Sequence, residues 1–153
     1  MEIALVRPQI PPNTGNVARL CACTGACLHL VGPLGFSLDD RHLRRAGLDY
    51  WAHLDVRVHA DWRAFKEAIA GRRLVGFSAH ANTIFWDFAF KKGDVLVFGS
   101  ETRGLHDEAR SSLDALVRLP MRRDRKVRSL NLASSVAAAA FEALRQLRGV
   151  WGI

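Results

Sequence analysis

The chain has 153 residues, 49% of them hydrophobic and 24% charged, which suits one ordinary folded domain and excludes disorder as a default. Lys and Arg number 22 against 15 Asp and Glu, a net charge of +7 that fits a polyanionic partner or else a basic surface kept for solubility. Its apolar stretches are short and broken by charges, which excludes a membrane-spanning segment, and Met1–Arg7 lacks the form of a signal peptide, so a cytoplasmic protein is expected.

Ile3–Val6 reads as the first strand. Short β-branched or aromatic runs recur at Leu28–Val31, Val56–Val58, Leu74–Ser78, Val95–Gly99 and Val117–Leu119, with longer amphipathic stretches between them. Strands alternating with helical patterns predict an α/β fold, a mostly parallel sheet with helices on both faces. No repeat or low-complexity linker divides the chain, so residues 1–153 read as a single domain.

Helix ends are marked along the way. Asn13 or Thr14 is predicted to cap a first helix running through Val17, Leu20 and Cys21, with Gly25 at its left-handed end. Ser37–Asp40 opens a basic segment, Arg41–Arg45. Asp61 caps a third helix that stops by Gly71, and Ser129 is the expected cap of the last one. There, Ala133, Ala137, Phe141 and Leu144 form a stripe at helical spacing, and the Ala-rich middle allows close packing against another helix. Cys21, Cys23 and Cys27 are odd in number and contain no Cys-x-x-Cys pair, so they are read as packing residues, with no metal.

Ligands in open α/β sheets sit beyond the carboxyl ends of strands, and three loops there are unusual. Pro11-Pro12-Asn13-Thr14-Gly15-Asn16 follows the first strand, with Arg19 one helical turn on; a helix N-terminus of this kind suits an anion, although a plain turn and cap explains it locally. Gly99-Ser100-Glu101-Thr102-Arg103-Gly104-Leu105 follows a buried strand, and its glycines allow close backbone approach. Leu119-Pro120-Met121 leads through the basic run Arg122–Arg128 to Ser129-Leu130-Asn131-Leu132. Asn131 is a poor helix former whose amide offers both a donor and an acceptor. Neither a Gly-x-Gly-x-x-Gly fingerprint nor a Walker loop is present, which speaks against a dinucleotide fold or an NTPase.

In this order and at these separations the three segments resemble the three motifs of the SPOUT methyltransferases. Leu43-Arg44-Arg45-Ala46-Gly47-Leu48-Asp49-Tyr50 extends the resemblance to the minimal enzymes that methylate the wobble nucleotide of leucine tRNAs. The similarity covers nearly the whole chain. It implies a C-terminal deep trefoil knot, S-adenosylmethionine as cofactor, tRNA as substrate and a homodimer. Matched residue by residue, Phe77, Gly99, Leu119, Ser129 and Leu130 would hold the cofactor. Arg19, Glu101 and Asn131 would form the catalytic set, and Arg19, Arg103 and Arg128 would contact RNA. Phe141 stands where related enzymes often carry tyrosine.

The resemblance implies direct transfer of the methyl group to a ribose 2′-hydroxyl. Arg19 is expected beside that hydroxyl. A guanidinium with a pKa above 12 is a reluctant base, so stabilisation of developing oxyanion charge is the favoured role. Glu101 and Asn131 are expected to fix the loops and the substrate ribose. A knotted RNA-binding protein without turnover shares the basic surface but gives Arg19, Glu101 and Asn131 no joint purpose; an enzyme of the same chemistry acting on another tRNA or rRNA position is the second alternative.

Overall fold

The computed structural model describes residues 1–39, 41, 54–122 and 129–147. Seven short strands form its sheet: β1 (Glu2–Val6), β2 (Cys27–Val31), β3 (Val56–His59), β4 (Leu74–Phe77), β5 (Thr83–Ile84), β6 (Val95–Phe98) and β7 (Ala115–Arg118). They pair in the order β3-β2-β1-β6-β4-β7-β5, and every named pairing is parallel. The strands end one residue before Ser78, Gly99 and Leu119, so these three residues open the loops at the carboxyl edge.

Continuous apolar runs are what a sheet covered on both faces demands. Alternate residues of β1 divide between two cores. Ile3 and Leu5 pack with Val17 and Cys21 of α1 (Pro11–Thr24) and with Val136 and Ala140 of the final helix. Ala4 and Val6 pack with Phe65 of α2 (Trp62–Ala68) and Ala109 of α3 (Asp107–Ser111). The final helix, α4 (Leu132–Gln146), thus lies on the same face as α1.

A polar group is enclosed on the α2 face. His29, fully buried in β2, meets Glu2 Oε2 at 2.9 Å through Nε2 and His59 Nε2 at 2.9 Å through Nδ1. Both rings stand edge-on to Phe65, and the Glu2 carboxylate also pairs with Arg72. Burial pulls both histidines below their usual pKa, for His29 against the opposing pull of Glu2, so both are neutral near pH 7. Burial likewise pushes the Cys21 and Cys27 thiols up to about 12, leaving them protonated; Cys23 is exposed.

Three helix details correct the sequence reading. Helix α1 begins at Pro11, and neither Asn13 nor Thr14 caps it; they lie buried in its first turn, and two prolines remove amides that would need acceptors. Asn131, not Ser129, caps α4, its side chain accepting from Ser134 N–H at 3.3 Å. The buried stripe of α4 is Leu132, Val136, Ala139, Ala140 and Ala143; of the predicted stripe only Leu144 is buried, Ala133 and Ala137 are half-buried, and Phe141 is 59% exposed. An alanine-rich helix is apolar on several faces, and spacing alone does not choose between adjacent ones. Asp61 does cap α2, accepting from Ala64 N–H at 2.8 Å, and Gly25 ends α1 at a φ of 66°. The segment Leu43–Tyr50 lies outside the described residues.

Candidate active site

The loops after β4, β6 and β7 leave neighbouring strands at one edge of the sheet and wall a cavity of about 530 Å³. Phe77 and Phe98, last residues of their strands, stack with centroids 4.5 Å apart and form part of its wall. Such a pair adds roughly 0.5–1.5 kcal/mol beyond its buried area.

The β6 loop is closed on itself. Ser100 N–H donates to Gly104 O at 3.1 Å, and Gly104 N–H donates to Ser100 O at 2.9 Å. Gly104 has a φ of 66°, and Gly99 faces it so closely that a Cβ there would lie 2.0 Å from the Gly104 carbonyl carbon. These two glycines are required by a positive φ and by backbone contact respectively.

Glu101, within this closed turn, reaches back to α1. Its carboxylate accepts Gln9 N–H at 2.9 Å, Ile10 N–H at 3.1 Å and Asn13 Nδ2–H at 3.2 Å. The two backbone amides that lead into α1 are therefore held by a carboxylate 92 and 91 residues away, and a negative charge there also favours the helix dipole. Thr102 Oγ1 donates to Gln9 Oε1 at 2.6 Å beside it. Asn13 Oδ1 in turn accepts from Asn131 Nδ2 at 2.8 Å, and Asn131 caps α4. One hydrogen-bonded chain, Glu101–Asn13–Asn131, ties all three unusual segments together.

Of the residues singled out by sequence, Phe77, Gly99, Leu119, Ser129 and Leu130 all line the cavity. Glu101, Arg103 and Asn131 line it too. Arg19 does not: it is exposed on α1 and absent from the lining. Arg128 lies outside the described residues. Sequence reasoning missed Asn13 as the link between loops, and it missed Ser78, His80 and Arg110, which also line the cavity. Arg110 sits on a five-residue helix too short to show a period, so no local signal pointed to it.

Leu119, Leu130 and Phe98 offer apolar wall for a flat heterocycle, and the strand ends beside them release backbone amides and carbonyls for its polar edges. The volume falls in the range of pockets that enclose small ligands, roughly 300–1,000 Å³. Among the described residues no cluster of His, Cys, Asp or Glu could hold a metal, and no helix is long and apolar enough to cross a membrane.

A model of the SpoU rRNA Methylase family matches residues 1–141. The tRNA (cytidine(34)-2′-O)-methyltransferase of Burkholderia cenocepacia is 55% identical over 149 residues, 95% of this chain and 94% of that protein. A chain from a structure described as "Structural insights into the 2-OH methylation of C/U34 on tRNA" superposes with a TM-score of 0.91 at 48% identity, covering 97% of this chain and 96% of that one. The SpoU methyltransferase AviRb of Streptomyces viridochromogenes, solved in complex with the cofactor AdoMet, superposes with a TM-score of 0.84 at 27% identity, covering 97% of this chain and 61% of that one.

Proposed function

Because the chain belongs to the SpoU methylase family, we propose that it is a tRNA 2′-O-methyltransferase. It transfers the methyl group of S-adenosylmethionine to the ribose 2′-hydroxyl of wobble nucleotide 34, a cytidine or modified uridine of leucine tRNAs. The observation that carries this reading is the Glu101–Asn13–Asn131 chain, which gathers the three motif segments at one cavity.

S-adenosylmethionine supplies an already activated methyl group when bound, so the chain's own task is to position the reactants and manage one proton. Phe77, Gly99, Leu119, Ser129 and Leu130, which line the cavity, would hold the cofactor. Glu101 keeps the β6 loop on the start of α1; its carboxylate, with three N–H donors already bound, serves as an anchor more than as a free base. Asn131 holds the third loop by the same logic. Arg19 stabilises charge on the attacking oxygen, and Arg103 and Arg128 contact the RNA backbone.

Arg19 is exposed and apart from the cavity of its own subunit. This supports a homodimer in which Arg19 serves the site of the other subunit. The exposed ring of Phe141 on α4 supports the same reading. The deep trefoil knot belongs to it as well: β7 lies between β4 and β5, both earlier in the chain, as a late threading would require. The enzyme acts as one cytoplasmic domain spanning residues 1–153.

A tRNA carrying 2′-deoxyribose only at nucleotide 34 tests the target atom. The expected result is cofactor-dependent methylation of the all-ribose tRNA and none of the deoxy version. Undiminished transfer to the deoxy version would remove that hydroxyl as the acceptor.

A further inference from the structure

Arg110 projects from α3 to the loop after β4, where its Nη2 donates to Ser78 Oγ at 2.8 Å. Ser78 is itself fixed. Its N–H donates to Val117 O of β7 at 2.9 Å, and its hydroxyl also accepts His80 N–H at 3.3 Å. The guanidinium is thus oriented by a neutral hydroxyl, with most of its five N–H donors unspent.

No carboxylate neutralises it: among the described residues Arg110 forms no ion pair. Among the described residues the cavity wall carries one acid, Glu101, whose oxygens are taken up by the amides of Gln9 and Ile10 and the side chain of Asn13. Arg103, on the β6 loop, also lines the cavity; it is exposed and, among the described residues, forms no ion pair. The apolar part of the cavity suits a small cofactor, whereas its lining also bears two exposed arginines that no carboxylate among the described residues neutralises. A positioned guanidinium at a rim matches the oxygens of a passing phosphodiester, which it can grip through two parallel N–H donors.

We propose that Arg110, set in place by Ser78, is a phosphate contact for the RNA substrate at the rim of the cavity. This rests on the RNA-methylating reading of the same site. The contact positions the RNA strand without reading its bases.

The test uses the full-length protein and its Arg110→Ala, Arg110→Lys and Ser78→Ala variants. Four quantities are measured: kcat, KM for tRNA, tRNA affinity as a function of salt, and S-adenosylhomocysteine affinity by calorimetry. Loss of a charge-assisted contact predicts a KM for tRNA raised about tenfold or more in Arg110→Ala, with kcat little changed. The slope of log affinity against log salt should fall by about one, the mark of one lost phosphate contact. Arg110→Lys should keep the slope but recover only part of the affinity, and Ser78→Ala should fall between it and the wild type. S-adenosylhomocysteine affinity should be unchanged throughout.

Unchanged KM and salt slope in a folded Arg110→Ala protein overturns the proposal. So does a loss confined to S-adenosylhomocysteine affinity, which would assign the arginine to the cofactor carboxylate. A fall in every affinity together with thermal stability would make its role structural. A wild-type protein that binds tRNA with the expected salt slope but methylates none overturns the enzymatic reading alone.

Discussion

A methyl group added at Gly99 would stand 2.0 Å from the Gly104 carbonyl carbon and 2.2 Å from Leu105 N, backbone atoms that no rotamer change can move aside. Gly99→Ala therefore forces open the turn closed by Ser100 and Gly104, whose residues wall the cavity. We expect its S-adenosylhomocysteine affinity, measured by calorimetry, to fall at least about tenfold, roughly 1.4 kcal/mol; wild-type affinity would mean the loop tolerates the opening. His29 sets a different condition. If its Nε2–H donates to Glu2, its Nδ1 must accept from His59 Nε2–H, and protonation would place two donors face to face. Burial lowers both histidine pKa values, so below pH 6.5 the folded chain binds fewer protons than the unfolded one. Their contribution to stability is complete above the unfolded value of about 6.5 and is lost as pH falls through the lower folded values. The urea midpoint should be lower at pH 5.5 than at pH 7.5; an equal or higher midpoint contradicts this. At this scale Gly99 and Glu101 were legible as unusual residues after a late strand. The partnership of Asn13 with Glu101 and Asn131 was not, because it joins positions 88 and 118 residues apart and leaves no local pattern.

Helix α4 starts where the third loop ends, and Asn131 serves both, capping Ser134 N–H with its oxygen while its amide donates to Asn13. Asn131→Ala removes a cap, worth about 1 kcal/mol, and also frees Asn13 from α4. We expect the thermal midpoint to drop by a few degrees and methyl transfer to fall more than the stability loss explains, measured well below the melting range. A protein with the lower midpoint and full turnover would leave Asn131 only as a cap. Elements with strong local signals were readable: six strands from their β-branched runs, α2 from Asp61, the end of α1 from Gly25. Those missed were short. Strand β5 has two residues and α3 has five, below the length at which any period shows. The buried face of α4 was misassigned because Val136–Ala140 is apolar all round, and what selects Leu132, Val136 and Ala139 is the sheet and α1, which the local sequence does not contain.

Across the whole molecule, the parallel sheet with helices on both faces followed from the alternation of patterns, while the order that places β7 between β4 and β5 did not, since strand order depends on non-local pairing. The exposure of Arg19 was equally hidden, because its position in the helical segment fixes a residue's place along the axis but not what faces it. If two chains associate through the outward side of α4, the 59% exposed ring of Phe141 lies in the contact. Phe141→Asp should then yield a monomer by light scattering at micromolar concentration, where the wild type gives a dimer, with transfer activity lost alongside; a dimeric variant would move the interface elsewhere. The central claim concerns which atom of which RNA receives the methyl group. The most direct measurement incubates the purified protein with S-adenosylmethionine and unmodified tRNA, then maps 2′-O-methyl nucleosides by nuclease digestion and mass spectrometry. The account predicts a single 2′-O-methylated nucleotide at position 34 of leucine tRNAs. Methylation only at another position, or none by a protein shown to bind the cofactor, would contradict it.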